Sequence, residues 1–172
     1  MSTKSQKKTT TIVSPKSELT SADFRLRRIL VPIDFSEHSK KALTYAASFA
    51  KTFDAELLLV FVVEQAAYPA DFGFGQVTLP SFERELSDRG ERELEKLAHS
   101  PFLNNCSVRS IVRTGNPYVE IISTAHEEHI DLIIIATHGH TGVEHLLFGS
   151  TAEKVVRKAP CPVLVVRAMN RG

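Results

Sequence analysis

The stretch Leu57-Leu-Leu-Val-Phe-Val-Val63 runs through seven apolar residues without a polar break. A strand with one wet face alternates apolar and polar side chains. An unbroken run therefore describes a strand covered on both faces, as in a parallel sheet clad by helices. This run is read as the sheet centre. The flanking sequence must then supply covering helices and parallel neighbours reached by crossovers.

The chain supplies them in alternation. Arg27-Arg-Ile-Leu-Val-Pro-Ile-Asp34 reads as a strand ending in a carboxylate, with Pro32 near its end, where a missing N–H matters little. Ser36 suits an N-cap and Glu37 the positive end of a helix that buries Leu43, Ala46, Ala47, Ala50 and Phe53. Residues 66–80 hold Gly73, Gly75 and two prolines and read as irregular: a lid, a dimer contact or a loop packed on itself. From Ser81 to about Ser100 a charged helix sets Phe82, Leu86, Leu94 and Leu97 on one side. Val108 to Arg113 is a shorter strand. Thr114-Gly-Asn-Pro117 turns it into a helix with Asn116 as cap and Pro117 at its first position, burying Val119, Ile122 and Ala125. The strand Leu132–Ala136 follows, then a helix from Ser150 to Lys158 in which Ser150-x-x-Glu153 fits a capping box. Val163 to Arg167 closes the series. Five strands alternating with four helices predict one α/β domain, a doubly wound, five-stranded parallel sheet with helices on both faces. In such a sheet ligands lie beyond the carboxyl ends of the strands.

Charge bears on partners. The net charge is +1, but residues 1–28 carry seven Lys/Arg against two acids. Residues 1–24 are expected to be a flexible basic extension, since they have too few apolar residues to offset the entropy of ordering. Residues 25–169 form the domain. No apolar segment follows the early lysines and no run of about 18 apolar residues occurs, so neither secretion nor membrane insertion is expected. Nothing in the overall balance calls for nucleic acid. Cys106 and Cys161 form no close pair, which fits a cytoplasmic setting.

The stretch from Asp131 to Thr151 concentrates the chemistry. A buried strand leads into a loop with Gly139 and Gly142, and Gly149-Ser150-Thr151 opens a helix. Glycines allow close approach of a backbone, and a helix start presents unpaired N–H groups to an anion. On these residues alone, an anion site and a plain connector stand level. The capping box, the long loop and Asp34 at a neighbouring strand end favour phosphate.

In its residues the chain resembles the universal stress protein family over about 26–168. The resemblance rests on Arg28-Ile-Leu-Val-Pro-Ile-Asp-Phe-Ser36, on Thr114-Gly-Asn-Pro117, and on Ala136-Thr-His-Gly-His-Thr-Gly-Val-Glu-His-Leu-Leu-Phe-Gly-Ser-Thr-Ala-Glu-Lys-Val155 leading to Ala159-Pro-Cys-Pro-Val-Leu-Val-Val166. It implies the adenine nucleotide alpha-hydrolase-like, Rossmann-like fold and a site for ATP, with AMP or ADP as alternatives and Mg2+ or Mn2+ carried by the nucleotide. By the same resemblance Gly139, Gly149, Ser150 and Thr151 hold phosphates, and Asp34 and the backbone at 136 lie near the ribose. Pro32, Ile33 and Val62 wall the adenine, Val62 through its main chain. Thr137, His138 and Gly142 complete the loop. Ala136 departs from the family's glycine. A backbone contact survives the added methyl if the dihedral there is ordinary. The resemblance also implies a homodimer joined through residues 163–166, and an unidentified protein partner for a regulator of stress responses. A nucleotide-free dimeric interaction protein with a structural glycine loop is the alternative.

Turnover is not expected. The chain has no Gly-x-x-x-x-Gly-Lys-[Ser/Thr] loop and no Lys or Arg inside the phosphate loop. The turn after the first strand lacks the Ser-Gly-Gly loop of related adenylating ligases. His138, His140 and His145 have no evident acidic partner, and read as loop histidines rather than a metal centre.

Overall fold

The computed structural model describes residues 25–64, 80–137 and 149–167, the side chains of 80–82 apart. Strand and helix alternate along the chain: β1 (Arg28–Pro32), α1 (Glu37–Phe53), β2 (Glu56–Glu64), α2 (Pro80–Ala98), β3 (Ser107–Gly115), α3 (Pro117–Glu127), β4 (Leu132–Ala136), α4 (Ser150–Lys158) and β5 (Val163–Val166). A single 3-10 turn at Pro101–Leu103, which the sequence reading did not anticipate, connects α2 to β3. All pairings are parallel, in the order β3-β2-β1-β4-β5. The chain winds outward from β1 in one direction and then, through β4, in the other. Its switch point lies between β1 and β4.

The apolar run does fill an internal strand, but β2 is not the sheet centre; β1 is. An unbroken run reports cover on both faces, which every internal strand enjoys, and is silent on rank within the sheet. Alternate residues of each strand enter separate cores. Ile29, Val31, Leu57, Leu59 and Ile134 pack with Leu43, Ala46 and Ala50 of α1 and Leu94 of α2. Leu30, Leu58, Ile133 and Ile135 pack with Ile121 and Ala125 of α3 and Val155 of α4.

Three details of the helices differ from expectation. Phe53 is 44% exposed, because α1 ends there and the chain turns away through Asp54 in the left-handed region. In α3 the buried positions are Ile121, Thr124 and Ala125, while Val119 is 43% exposed. Asn116 and Pro117 start that helix as expected, which sets its phase; the apolar stripe is offset from Val119 and no cap bond forms from the Asn116 side chain. The N-cap of α4 is Gly149, so Ser150 is the first helical residue and the capping box does not form.

At the amino-terminal edge of the sheet charge holds the strands in place. Asp131 Oδ2 accepts from the amides of Arg27 and Arg28 at 2.7 and 2.9 Å. Arg109 bridges Glu56 and Glu128, both at 2.8 Å. The Arg109 hydrogen bond, helped by the charges of Arg109, Arg28 and Arg113 and opposed by burial, leaves the Glu128 carboxyl below its ordinary value. Among the described residues no helix is long and apolar enough to cross a membrane.

Candidate functional site

β1 stops at Pro32, whose partner on β2 is Val60, whereas β2 continues to Glu64 beside β3. That difference in length opens a cleft of about 270 Å³ at the carboxyl ends of the strands. Its floor is the end of β1 and of β4, and its wall is the overhanging end of β2.

Backbone parity decides what the wall presents. Ile33 N–H donates to the Val60 carbonyl at 2.8 Å, so the peptide groups of Val60 point toward β1. In a parallel ladder every second residue points the same way. The next such residue is Val62, and there β1 has ended, so its N–H and C=O open into the cleft, which Val62 lines. A donor and an acceptor side by side on a strand edge match the hydrogen-bonding edge of a purine base. Pro32, Ile33, Ile121 and Ile135 give that space apolar walls.

On the floor, Asp34 follows β1 in a tight turn. Asp34 Oδ1 accepts from the Ser36 amide at 3.0 Å and from Ser36 Oγ at 2.6 Å. Ser36 Oγ in turn caps α1 by accepting from the Ser39 amide. Ser39, 3% exposed, donates through Oγ to the Ser36 carbonyl at 3.0 Å. Phe35 between them takes φ of 64°, a left-handed conformation uncommon for a bulky residue. Its ring meets that of Phe61 with centroids 4.9 Å apart.

The far side of the cleft is the start of α4. The Gly149 amide donates to the Thr137 carbonyl at 2.7 Å, and the Thr137 amide to the Val166 carbonyl at 3.0 Å. β4 is thereby tied to β5 on one side and to the first turn of α4 on the other. Gly149, Ser150, Thr151 and Ala152 all line the cleft. The unpaired amides of a helix start and its positive dipole end suit an anion.

The cleft unites Pro32, Ile33, Asp34, Val62, Ala136, Thr137, Gly149, Ser150 and Thr151, which come from three strand ends and one helix start. His138, Gly139, Gly142, His140 and His145 lie outside the described residues. So do the basic extension and the irregular segment after β2. Ala136 is a strand residue paired with Val166, 7% exposed, with its methyl in the α1-side core and no positive φ. The ordinary dihedral that its methyl requires is met. Glu64, at a strand end where the architecture places ligands, also lines the cleft. Ser39, Phe61 and Pro117 line it too and were missed; Pro117 could have been found from its place directly after a strand end. Among the described residues no cluster of three or more His, Cys, Asp or Glu could hold a metal ion.

Fold and cleft together define a doubly wound α/β protein with a ligand-sized site at its switch point. Residues 25–167 match the sequence model of the universal stress protein family. A universal stress protein of Methanocaldococcus jannaschii is 34% identical over 141 residues, covering 82% of each chain. The solved universal stress protein UspA from Lactobacillus plantarum superposes with a TM-score of 0.70 at 28% identity, covering 83% of this chain and 99% of its own. The chain belongs to the universal stress protein family. A family protein from Arabidopsis thaliana solved with AMP bound shares the fold at 18% identity, with a TM-score of 0.54 over 84% of this chain and 93% of its own.

Proposed function

We propose that this protein binds an adenine nucleotide, ATP foremost, in the cleft at the β1/β4 switch point, and that occupancy regulates its assembly or partner binding in a stress response. The observation that carries this reading is the convergence of the Val62 peptide edge, the fixed Asp34 carboxylate and the first turn of α4 on one cavity. The base lies against Val62, Pro32 and Ile33, the ribose near Asp34 and Ala136, and the phosphates at Gly149–Thr151 together with the loop of Thr137, His138, Gly139 and Gly142. A divalent cation, Mg2+ or Mn2+, arrives with the nucleotide. The AMP found in the Arabidopsis protein supports the nucleotide class at the level of the fold.

Association of two copies through β5 accompanies this reading. β5 is an edge strand of four apolar residues. Pro162 and Val166 direct their carbonyls to β4 and Thr137, so the peptides of Val163 and Val165 face the outer edge, which no strand among the described residues pairs with.

Thermal unfolding with ATP and magnesium tests the nucleotide. At a hundredfold excess over the dissociation constant, binding adds about 2.7 kcal/mol, equal to a rise of roughly 5–10 °C for a domain of this size. A Gly149→Val variant should fold, since φ at 149 is −71° and ψ 154°, which any residue adopts, but should lose the shift. No shift in the parent protein, with no nucleotide retained on purification, overturns the reading in favour of a nucleotide-free interaction protein.

A further inference from the structure

Among the described residues no Lys or Arg lines the cleft. A nucleoside polyphosphate nonetheless brings several negative charges, more than the amides of one helix turn can answer. A cationic arrangement stands beside the cleft. Tyr118 is the second residue of α3 and directly follows Pro117, which lines the cavity. Lys154 and Lys158 of α4 both set their ammonium groups on its ring, 4.9 and 5.3 Å from the centroid.

The helix geometry brings this cluster toward the cleft. Lys154 and Lys158 are four residues apart and share one face of α4. Ser150, which lines the cleft, is four residues before Lys154 and lies on the same face. Side chains on a helix lean toward its amino terminus, so the Lys154 stem runs toward the turn that borders the cavity. Within α4, Glu153 is engaged by Arg157 at 3.0 Å. Among the described residues neither Lys154 nor Lys158 has a carboxylate partner. Two like charges gathered on one ring repel each other, and a neighbouring anion would relieve that repulsion.

We propose that Lys154 and Lys158, held on Tyr118, form a cationic rim that meets the phosphates beyond the first and makes the cleft favour nucleoside polyphosphates over monophosphates. This rests on the adenine-nucleotide reading given above. The lysines bind and select; they take no part in bond breaking.

Titration calorimetry of the full chain with ATP and with AMP, each with magnesium, at low and high salt, tests it. Lys154→Met and Lys158→Met should each weaken ATP about two- to fivefold, the range of an exposed ion pair, and leave AMP unchanged. The loss should shrink at high salt as the charges are screened. Tyr118→Leu retains both charges and the apolar packing but releases the ammonium groups, and should also lower the ATP-to-AMP ratio. Lys154→Arg should preserve the ratio, as should Arg157→Met, which removes a charge from the same helix away from the ring. Melting of each variant without ligand verifies the fold. If the parent binds both nucleotides and the lysine variants lose both equally, or lose neither, the rim is refuted and the nucleotide reading stands. If the parent binds neither, both fall.

Discussion

Replacing Gly90 by alanine sets two effects of known sign against each other. Gly90 lies in the interior of α2, where glycine is about 0.8–1.0 kcal/mol less favourable than alanine. A Cβ at that position would stand 2.4 Å from Cδ1 and 2.7 Å from Cε1 of Phe61. The ring would have to retreat by about 1 Å to reach the 3.4 Å at which such contacts become ordinary, and it already packs against Phe35. Overpacking of this kind costs about 1–3 kcal/mol. The net change in the parent protein should therefore run from nearly neutral to a loss of about 2 kcal/mol. In a Phe61→Leu background the obstruction is gone and only the helix gain remains, so the same substitution should stabilise by up to about 1 kcal/mol. Urea unfolding of the four proteins, compared at equal m-values, gives the coupling energy directly. A coupling of at least 1 kcal/mol is expected. If Gly90→Ala stabilises both backgrounds alike, closeness to Phe61 is not what requires the glycine.

Other outcomes follow from the turn, the charge network and the outer edge. Ser36→Ala removes the cap of α1 and the Oγ bond to Asp34 Oδ1, and keeps the bond from its own amide; urea unfolding should show a loss of about 1 kcal/mol, and unchanged stability would refute the cap. Glu128 is held below its ordinary value of 4.5 when folded, chiefly by the Arg109 hydrogen bond. Its contribution is thus complete above 4.5 and fades as pH falls through the lower folded value. Glu128→Gln should accordingly lose less stability than the parent below pH 4.5, and parallel stability curves would show the pair to be inert. Val165→Pro removes a donor from the outer edge of β5 without touching the ladder to β4. Sedimentation should then report a monomer with its circular dichroism retained, and a surviving dimer would place the interface elsewhere.

How much was legible in the sequence depended on whether a property is local. The strands were legible because their apolar runs are long and bounded by Pro, Gly or Asp. Asp34 and Pro32 were legible as residues lining the cleft because a strand end borders a crevice in this architecture whatever the neighbours are. Rank within the sheet was not, since β1 and β2 are both buried on two faces and differ only in which strands pair with them. Phe61 escaped for a related reason. Which residues of β2 meet the cleft depends on where β1 stops, and that is a relation between strands. The cap of α4 was misplaced by one residue because Ser150 is a good cap by type, while the Gly149 amide, bonded to Thr137, already fixes the turn.

The overhang of β2 beyond β1 also sets a unit of change for the site. From Val60 to Glu64 it spans four residues, or about 13 Å at 3.3 Å per residue. Every second residue turns its peptide groups to the same side, so past Val60 the edge offers donor–acceptor pairs at Val62 and at Glu64, about 7 Å apart. Shortening the end of β2 by two residues would remove the pair at Glu64 and leave the one at Val62. The height of the wall and the number of polar anchors along it are therefore tied together, one pair for each two residues of overhang.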